Sequence, residues 1–196
     1  MSHLPFTGTY AIIFQIAWLT WLVPEVVGEV TQRRKGAARR RGRGSSVVLL
    51  LGIFIGPAAG FAFAFALPGA TISGQPPFVF FIGIVFMLLG VALRWYAVET
   101  LGCYFTRTLA VQAGQSVVEV GPYRYVRHPG YSGTLLTLLG IGLTLTNWAS
   151  LLAIMVCAGI GYGYRIHVEE RFLQEELGQP YIDCMRGTRR LIPFVL

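Results

Sequence analysis

Charge is scarce in this sequence, and its absence comes in blocks. Asp, Glu, Lys and Arg make up 13% of the 196 residues, about half of the roughly 25% usual in soluble domains. Residues 1–24, 44–93 and 128–164 contain none of them. With 54% hydrophobic residues and a mean hydropathy of +0.59, the chain is neither disordered nor an ordinary soluble globule. Cysteine is also sparse. Cys103, Cys157 and Cys184 form an odd set without C-x-x-C spacing, which argues against a disulfide framework or zinc ribbon and for reduced thiols. No H-E-x-x-H or G-x-S-x-G string occurs, so zinc peptidases and serine elbows drop out. Gly159-Ile-Gly-Tyr-Gly163 lies in an apolar helix and follows no strand, which excludes a Rossmann phosphate loop and leaves close helix packing as its use. The terminal Pro-Phe-Val-Leu has no Cys fourth from the end and is no prenylation signal.

What the chain has is hydrophobic length. About 20 apolar residues cross a bilayer core, so the uncharged run 44–93 holds two crossings, divided by the turn-forming stretch Leu67 to Pro77. The expected helices there are Ser46 to Leu67 and Phe78 to Tyr96. The run after His128 divides near Thr146 and Asn147 into two shorter helices, Pro129 to Leu145 and Trp148 to Tyr164. A helix from Tyr10 to Gly28, kinked or ended early by Pro24, completes the set. This first segment lacks a basic leader and a small-residue cleavage site, so we expect it to stay in the mature protein.

The predicted architecture is an all-α integral membrane protein with five transmembrane helices and a cytoplasmic C-terminal helix. It is one domain over 1–196, with three N-terminal spans in 1–100 and a second functional half in 101–196. All sixteen Lys and Arg lie in 33–43, 94–127 and 165–190, which alternating crossings bring to one face. The positive-inside rule makes that face cytoplasmic and puts the N-terminus outside. The basic loop 32–44, with six Arg and one Lys, then lies against anionic headgroups rather than nucleic acid.

Polar groups are costly near a bilayer, so their concentrations mark function. One is Gly121-Pro-Tyr-Arg-Tyr-Val-Arg-His-Pro-Gly-Tyr131, leading into the fourth span. Pro129 suits a first helical turn and makes His128 the N-cap. The free N–H groups of that turn, with Arg124 and Arg127 nearby, suit an anionic ligand group. The other is Arg165-Ile-His-Val-Glu-Glu-Arg-Phe-Leu-Gln-Glu-Glu-Leu177, stopped by Gly178 and Pro180. On a helix Arg165 and Glu169 share one face. A metal site from His128, His167 and Glu170 is the weaker reading, because three ligands on two segments lack a known spacing, and no metal is expected.

The string Gly121 to Gly133, followed after a hydrophobic hairpin by Arg165-x-x-x-Glu-Glu-x-x-Leu173, resembles the isoprenylcysteine carboxyl methyltransferase family and its relatives among membrane phospholipid methyltransferases. The likeness runs from about Leu101 to Phe194. It implies an S-adenosylmethionine site, active on the cytoplasmic side, built by the last two spans and their flanks. Carried over by position, it implies cofactor contacts from Tyr123, His128, Pro129, Gly130 and Tyr131, and from Gln115, Val117 and Val118 ahead of Gly121. Gln115 stands where family members often have His. Glu169 would hold the cofactor, and Arg165 would face the methyl acceptor.

The resemblance also implies a lipidated or otherwise apolar acceptor, or a membrane lipid, entering from the bilayer. A carboxylate acceptor is already ionised at pH 7 and suits the fork of Arg165. A phospholipid amine or small thiol would have to lose a proton, with Glu170 and His167 as the bases. Glu170 is therefore carried with Arg165 as a catalytic candidate. The rival of another class is a transporter or channel whose charges only fix topology; the spans show no mid-depth acid or base and no internal repeat to support it. A haem or quinone enzyme lacks paired intramembrane His.

Overall fold

The computed structural model describes residues 4–34, 43–72, 74, 76–106, 109, 111, 112 and 114–192. Residues 35–42 of the basic loop, and with them its expected headgroup contact, lie outside the described residues. The chain forms α1 (Gly8–Arg34), α2 (Arg43–Ala66), α3 (Pro76–Leu101), α4 (Pro129–Thr144), α5 (Trp148–Leu177) and α6 (Gln179–Gly187). Among the described residues, β pairing is limited to two isolated bridges.

The uncharged runs become helices that are apolar on both their inner and outer faces. Ile12, Ile16, Leu51, Phe54, Val85, Leu89, Leu152 and Ile160 are exposed, while Phe14, Trp21, Ala64, Phe80, Met87 and Ile154 are buried. A helix apolar all round belongs in lipid or in a large core. Among the described residues, four segments, Gly8–Gly28, Val47–Ala66, Pro76–Tyr104 and Trp148–Leu177, are long and apolar enough to cross a membrane. α4 differs. Its 16 residues reach only about 24 Å, short of a roughly 30 Å hydrocarbon layer, and much of it is buried inside the protein: Thr134, Thr137, Leu138, Ile141 and Thr144 are nearly inaccessible.

Glycines set how close the helices come. A Cβ on Gly90 would stand 2.5 Å from Gly133 O and 2.4 Å from Thr137 Oγ1, so α3 and α4 touch backbone to backbone only because no side chain intervenes. On the other side of the bundle α2 packs on α5, where Ser150 donates to Gly60 O at 2.7 Å.

Two differences from the expected helices have clear causes. Pro24 neither ends nor shortens the first helix, which continues to Arg34. α5 does not stop at Tyr164. Charge begins there, but residues 164–177 hold no Gly or Pro, and the helix runs until Gly178 adopts φ 63°. The second polar cluster thus rides on the last span as one rigid rod of 30 residues.

The two ends of the bundle are fastened differently. At one end Asn147 caps α5 by accepting from Ser150 N at 3.1 Å and donates to Leu67 O at 2.8 Å, while Ile72 N donates to Thr146 O at 2.8 Å. At the other, the C-terminal segment lies beside the start of α4. Arg127 N donates to Arg189 O at 2.7 Å, and His128 N to Arg190 O at 3.1 Å. This second end carries the cavity.

Candidate functional site

The late parts of α1, α3 and α5, the early parts of α2 and α4, and α6 surround a cavity of about 230 Å³. Three polar networks shape it. The first joins α4 to α5. Tyr131 donates to Glu169 Oε2 at 2.5 Å, and Arg165 Nε donates to the Tyr131 oxygen at 3.1 Å. The same Nε stands 3.3 Å from Glu169 Oε2, and Arg165 Nη1 donates to Ser45 Oγ of α2 at 3.0 Å. Arg165 is 1% exposed, so its charge is held in place by these partners.

The second network centres on Glu170. One residue on from Glu169 the helix has turned about 100°, and Glu170 points elsewhere. Its Oε1 accepts from Arg127 Nε at 3.0 Å and its Oε2 from Arg190 Nε at 3.1 Å. Arg127 Nη1 also donates to Met185 O at 3.1 Å and to Thr188 O. Glu170 therefore ties the loop before α4 to α6 and the C-terminal segment. His128 Nε2 lies 3.6 Å from Glu170 Oε1, beyond a hydrogen bond, and is buried without a partner among the described residues. Its ring stacks on Tyr131, centroids 5.4 Å apart and planes 12° from parallel.

The third network was not visible in the sequence. Arg94 of α3 grips the Glu25 carboxylate of α1 with Nε and Nη2, and its Nη1 donates to Gly130 O at 3.2 Å. Both residues line the cavity. The sequence shows no mid-depth acid or base; at the ends of the spans, α1 and α3 supply a forked ion pair braced on the start of α4.

Of the residues expected at the cofactor, Gln115, Val117, Val118, Tyr123, His128, Gly130, Tyr131 and Glu169 all line this cavity. Pro129 is buried in the first turn of α4 and is not part of the wall. Gln115 Oε1 accepts from Gln112 N at 3.0 Å, folding the segment before Gly121 against the cavity. Burial, reinforced by the Glu169 carboxylate, raises the Tyr123 phenol above its ordinary pKa and keeps it protonated. Arg165 and Glu170 sit just behind the wall rather than in it. Arg127 is spent on Glu170, and Arg124 is exposed outside the wall, so the pair does not form the expected anion site. His167 is exposed, apart from the buried His128–Glu170 contact.

Other wall residues escaped the sequence reading. Leu49, Leu50 and Ile53 of α2 and Tyr162 of α5 add an apolar side, and Tyr181 and Cys184 of α6 close one end. The Tyr181 hydroxyl is buried without a hydrogen-bond partner among the described residues. Tyr181 and Cys184 stand one turn apart on the α6 face opposite the exposed Arg186–Asp183 pair, a spacing that could have flagged them.

The sequence profile of the isoprenylcysteine carboxyl methyltransferase family matches residues 82–175. A rice protein named probable protein-S-isoprenylcysteine O-methyltransferase (Oryza sativa subsp. indica) is 32% identical over 60% of this chain and 63% of its own length. Protein-S-isoprenylcysteine O-methyltransferase B of Arabidopsis thaliana is 31% identical over 58% of each chain. The alignments thus span about three fifths of these relatives. The solved structure of a eukaryotic intramembrane Ras methyltransferase, isoprenylcysteine carboxyl methyltransferase, has a TM-score of 0.63 at 20% identity, covering 95% of this chain and 65% of that one. That likeness establishes a shared helical fold. Residues 82–175, the part that matches the isoprenylcysteine carboxyl methyltransferase family, carry the Tyr131, Arg165 and Glu169 network.

Proposed function

We propose that the chain is a membrane-embedded, S-adenosylmethionine-dependent methyltransferase that methylates a carboxylate on a lipidic acceptor, in the manner its relatives' names describe. The observation that carries this reading is the convergence of three separate stretches, 115–118, 123–131 and Glu169, on one cavity. The donor set fits the cofactor. A carboxylate at Glu169 suits its ammonium or ribose diol, an unpartnered buried imidazole nitrogen at His128 suits a polar group, and the Tyr123 and Tyr131 rings suit a flat base. When bound, S-adenosylmethionine supplies an electrophilic methyl group.

The protein's own part is alignment and exclusion of water. Glu169, steadied by Tyr131 and Arg165, binds and orients. Arg165, close behind that carboxylate, supplies the positive charge that attracts an acceptor carboxylate toward the same wall. Both acids of the cavity wall are engaged, Glu25 by Arg94 and Glu169 by Tyr131 and Arg165, and an ionised carboxylate needs no base. This favours O-methylation over N- or S-methylation. Glu170, clasped by two guanidinium groups, acts as the tie that holds the loop and tail around His128.

The apolar side formed by Leu49, Leu50 and Ile53 is where a lipid chain enters from the bilayer. In the same reading α1 to α5 make five crossings. Glu25, Arg94, Tyr131 and Tyr181 then fall at the end of the bundle shared by the basic stretches, which puts the cavity on the cytoplasmic side and the N-terminus outside.

A labelled-methyl assay tests this reading. Purified protein in lipid, given methyl-labelled S-adenosylmethionine and a prenylated cysteine, is expected to form a product whose label is released by mild alkali as methanol, as from an ester. Label in alkali-stable products would assign an amine or thiol acceptor; no transfer to any lipidic acceptor would remove the enzyme reading.

A further inference from the structure

Four buried side-chain polar atoms lack a hydrogen-bond partner among the described residues: Trp21 Nε1, Thr146 Oγ1, His128 Nε2 and Tyr181 Oη. Of these residues only His128 and Tyr181 line the cavity. A buried hydroxyl without a partner is unfavourable, and such groups in folded proteins are rare enough to need an explanation. Tyr181 is 5% exposed, on α6, and was not among the residues the sequence assigned to the site.

Its surroundings narrow what it can bind. The same cavity is lined by the apolar Phe172, Leu173 and Leu177 of late α5 and by Cys184, one turn on from Tyr181. The charges acting on its phenol are the carboxylates of Glu170 and Glu169 and the guanidinium of Arg127, and Arg127 is already bound to Glu170. Burial and the two carboxylates raise its pKa, so it stays protonated and donates. Arg127 and Arg190 are both committed to Glu170 and Arg165 to Glu169, so these cations are already paired and an anionic acceptor is disfavoured there. A flat, neutral, partly apolar group with its own acceptor atoms is favoured.

We propose that Tyr181 binds the nucleoside half of the methyl donor, its phenol donating to a ring nitrogen of adenine or an oxygen of ribose, so that α6 is part of the donor site. This rests on the donor-site reading above.

The test uses the full chain in lipid nanodiscs and two probes. S-adenosylhomocysteine is the whole product; 5′-methylthioadenosine keeps the nucleoside and lacks the amino acid. Because the hydroxyl makes no hydrogen bond among the described residues, Tyr181→Phe removes the proposed contact and none of those. It is expected to weaken both probes by about tenfold, the loss of one neutral hydrogen bond, with the unliganded Tm no lower than wild type. Unchanged affinity for methylthioadenosine, or its failure to bind or compete on wild type, overturns this assignment while leaving the donor site standing if S-adenosylhomocysteine binds. A lowered Tm with both affinities unchanged makes Tyr181 structural and also overturns it. Wild-type protein that binds neither probe removes the donor site itself.

Discussion

Glu169 and Glu170 are neighbours in the chain with opposite surroundings, and the account gives them opposite roles. Glu170 holds Arg127 and Arg190, so Glu170→Gln is expected to cost about 3 kcal/mol, the penalty for leaving a buried cation unpaired. Thermal unfolding in detergent should show it as a lowered Tm. An unchanged Tm with a large loss of kcat would return Glu170 to a catalytic role. Arg165→Ala is expected to lower kcat about a hundredfold, the scale of removing one charge-stabilising group from an active site, while S-adenosylhomocysteine affinity falls much less. Equal losses would place Arg165 with the cofactor instead. Cys184 offers a check on the cavity. Burial raises its thiol pKa, so at pH 8 a maleimide should modify exposed Cys103 well before Cys184; equal rates would mean that α6 does not seal the end of the cavity.

At the level of helices, close packing and continuity matter more than composition. Gly90 and Gly133 bring α3 and α4 together so that Arg94 reaches both Glu25 and Gly130 O. Gly90→Ala is expected to destabilise by roughly 1–3 kcal/mol through overpacking and to weaken donor binding, because Gly130 is displaced with α4. A neutral Gly90→Ala, read as Tm and Kd together, would contradict this coupling. The sequence made the spans legible because a membrane helix needs a long uncharged run, and the uncharged stretches 44–93 and 128–164 carry most of that signal. His128 and Glu169 were legible through a specific motif pair. The Glu25–Arg94 pair was not, since 69 residues separate its members and only the folded bundle makes them neighbours. The stop of α5 was legible in Gly178 and Pro180, but the span ending at Tyr164 and the charged cluster after it are one continuous helix, because charge marks where a helix leaves lipid, not where its hydrogen bonds stop.

At the scale of the whole molecule, the cavity sits at the end of the bundle where the basic stretches gather, and the polar turn around Ala70 and Asn147 sits at the other. With Cys103 replaced by Ser, an impermeant maleimide is expected to label Ala70→Cys from outside intact right-side-out vesicles and Arg186→Cys only in inverted ones. The reverse pattern would overturn the orientation. The central claim is that one cavity, closed by helices from both halves of the chain, encloses a methyl donor. Calorimetric titration of the nanodisc-embedded protein with S-adenosylhomocysteine tests it most directly. The account predicts micromolar binding to wild type that is lost in both Glu169→Ala and His128→Ala; absence of binding to wild type, or binding untouched by both substitutions, would contradict it.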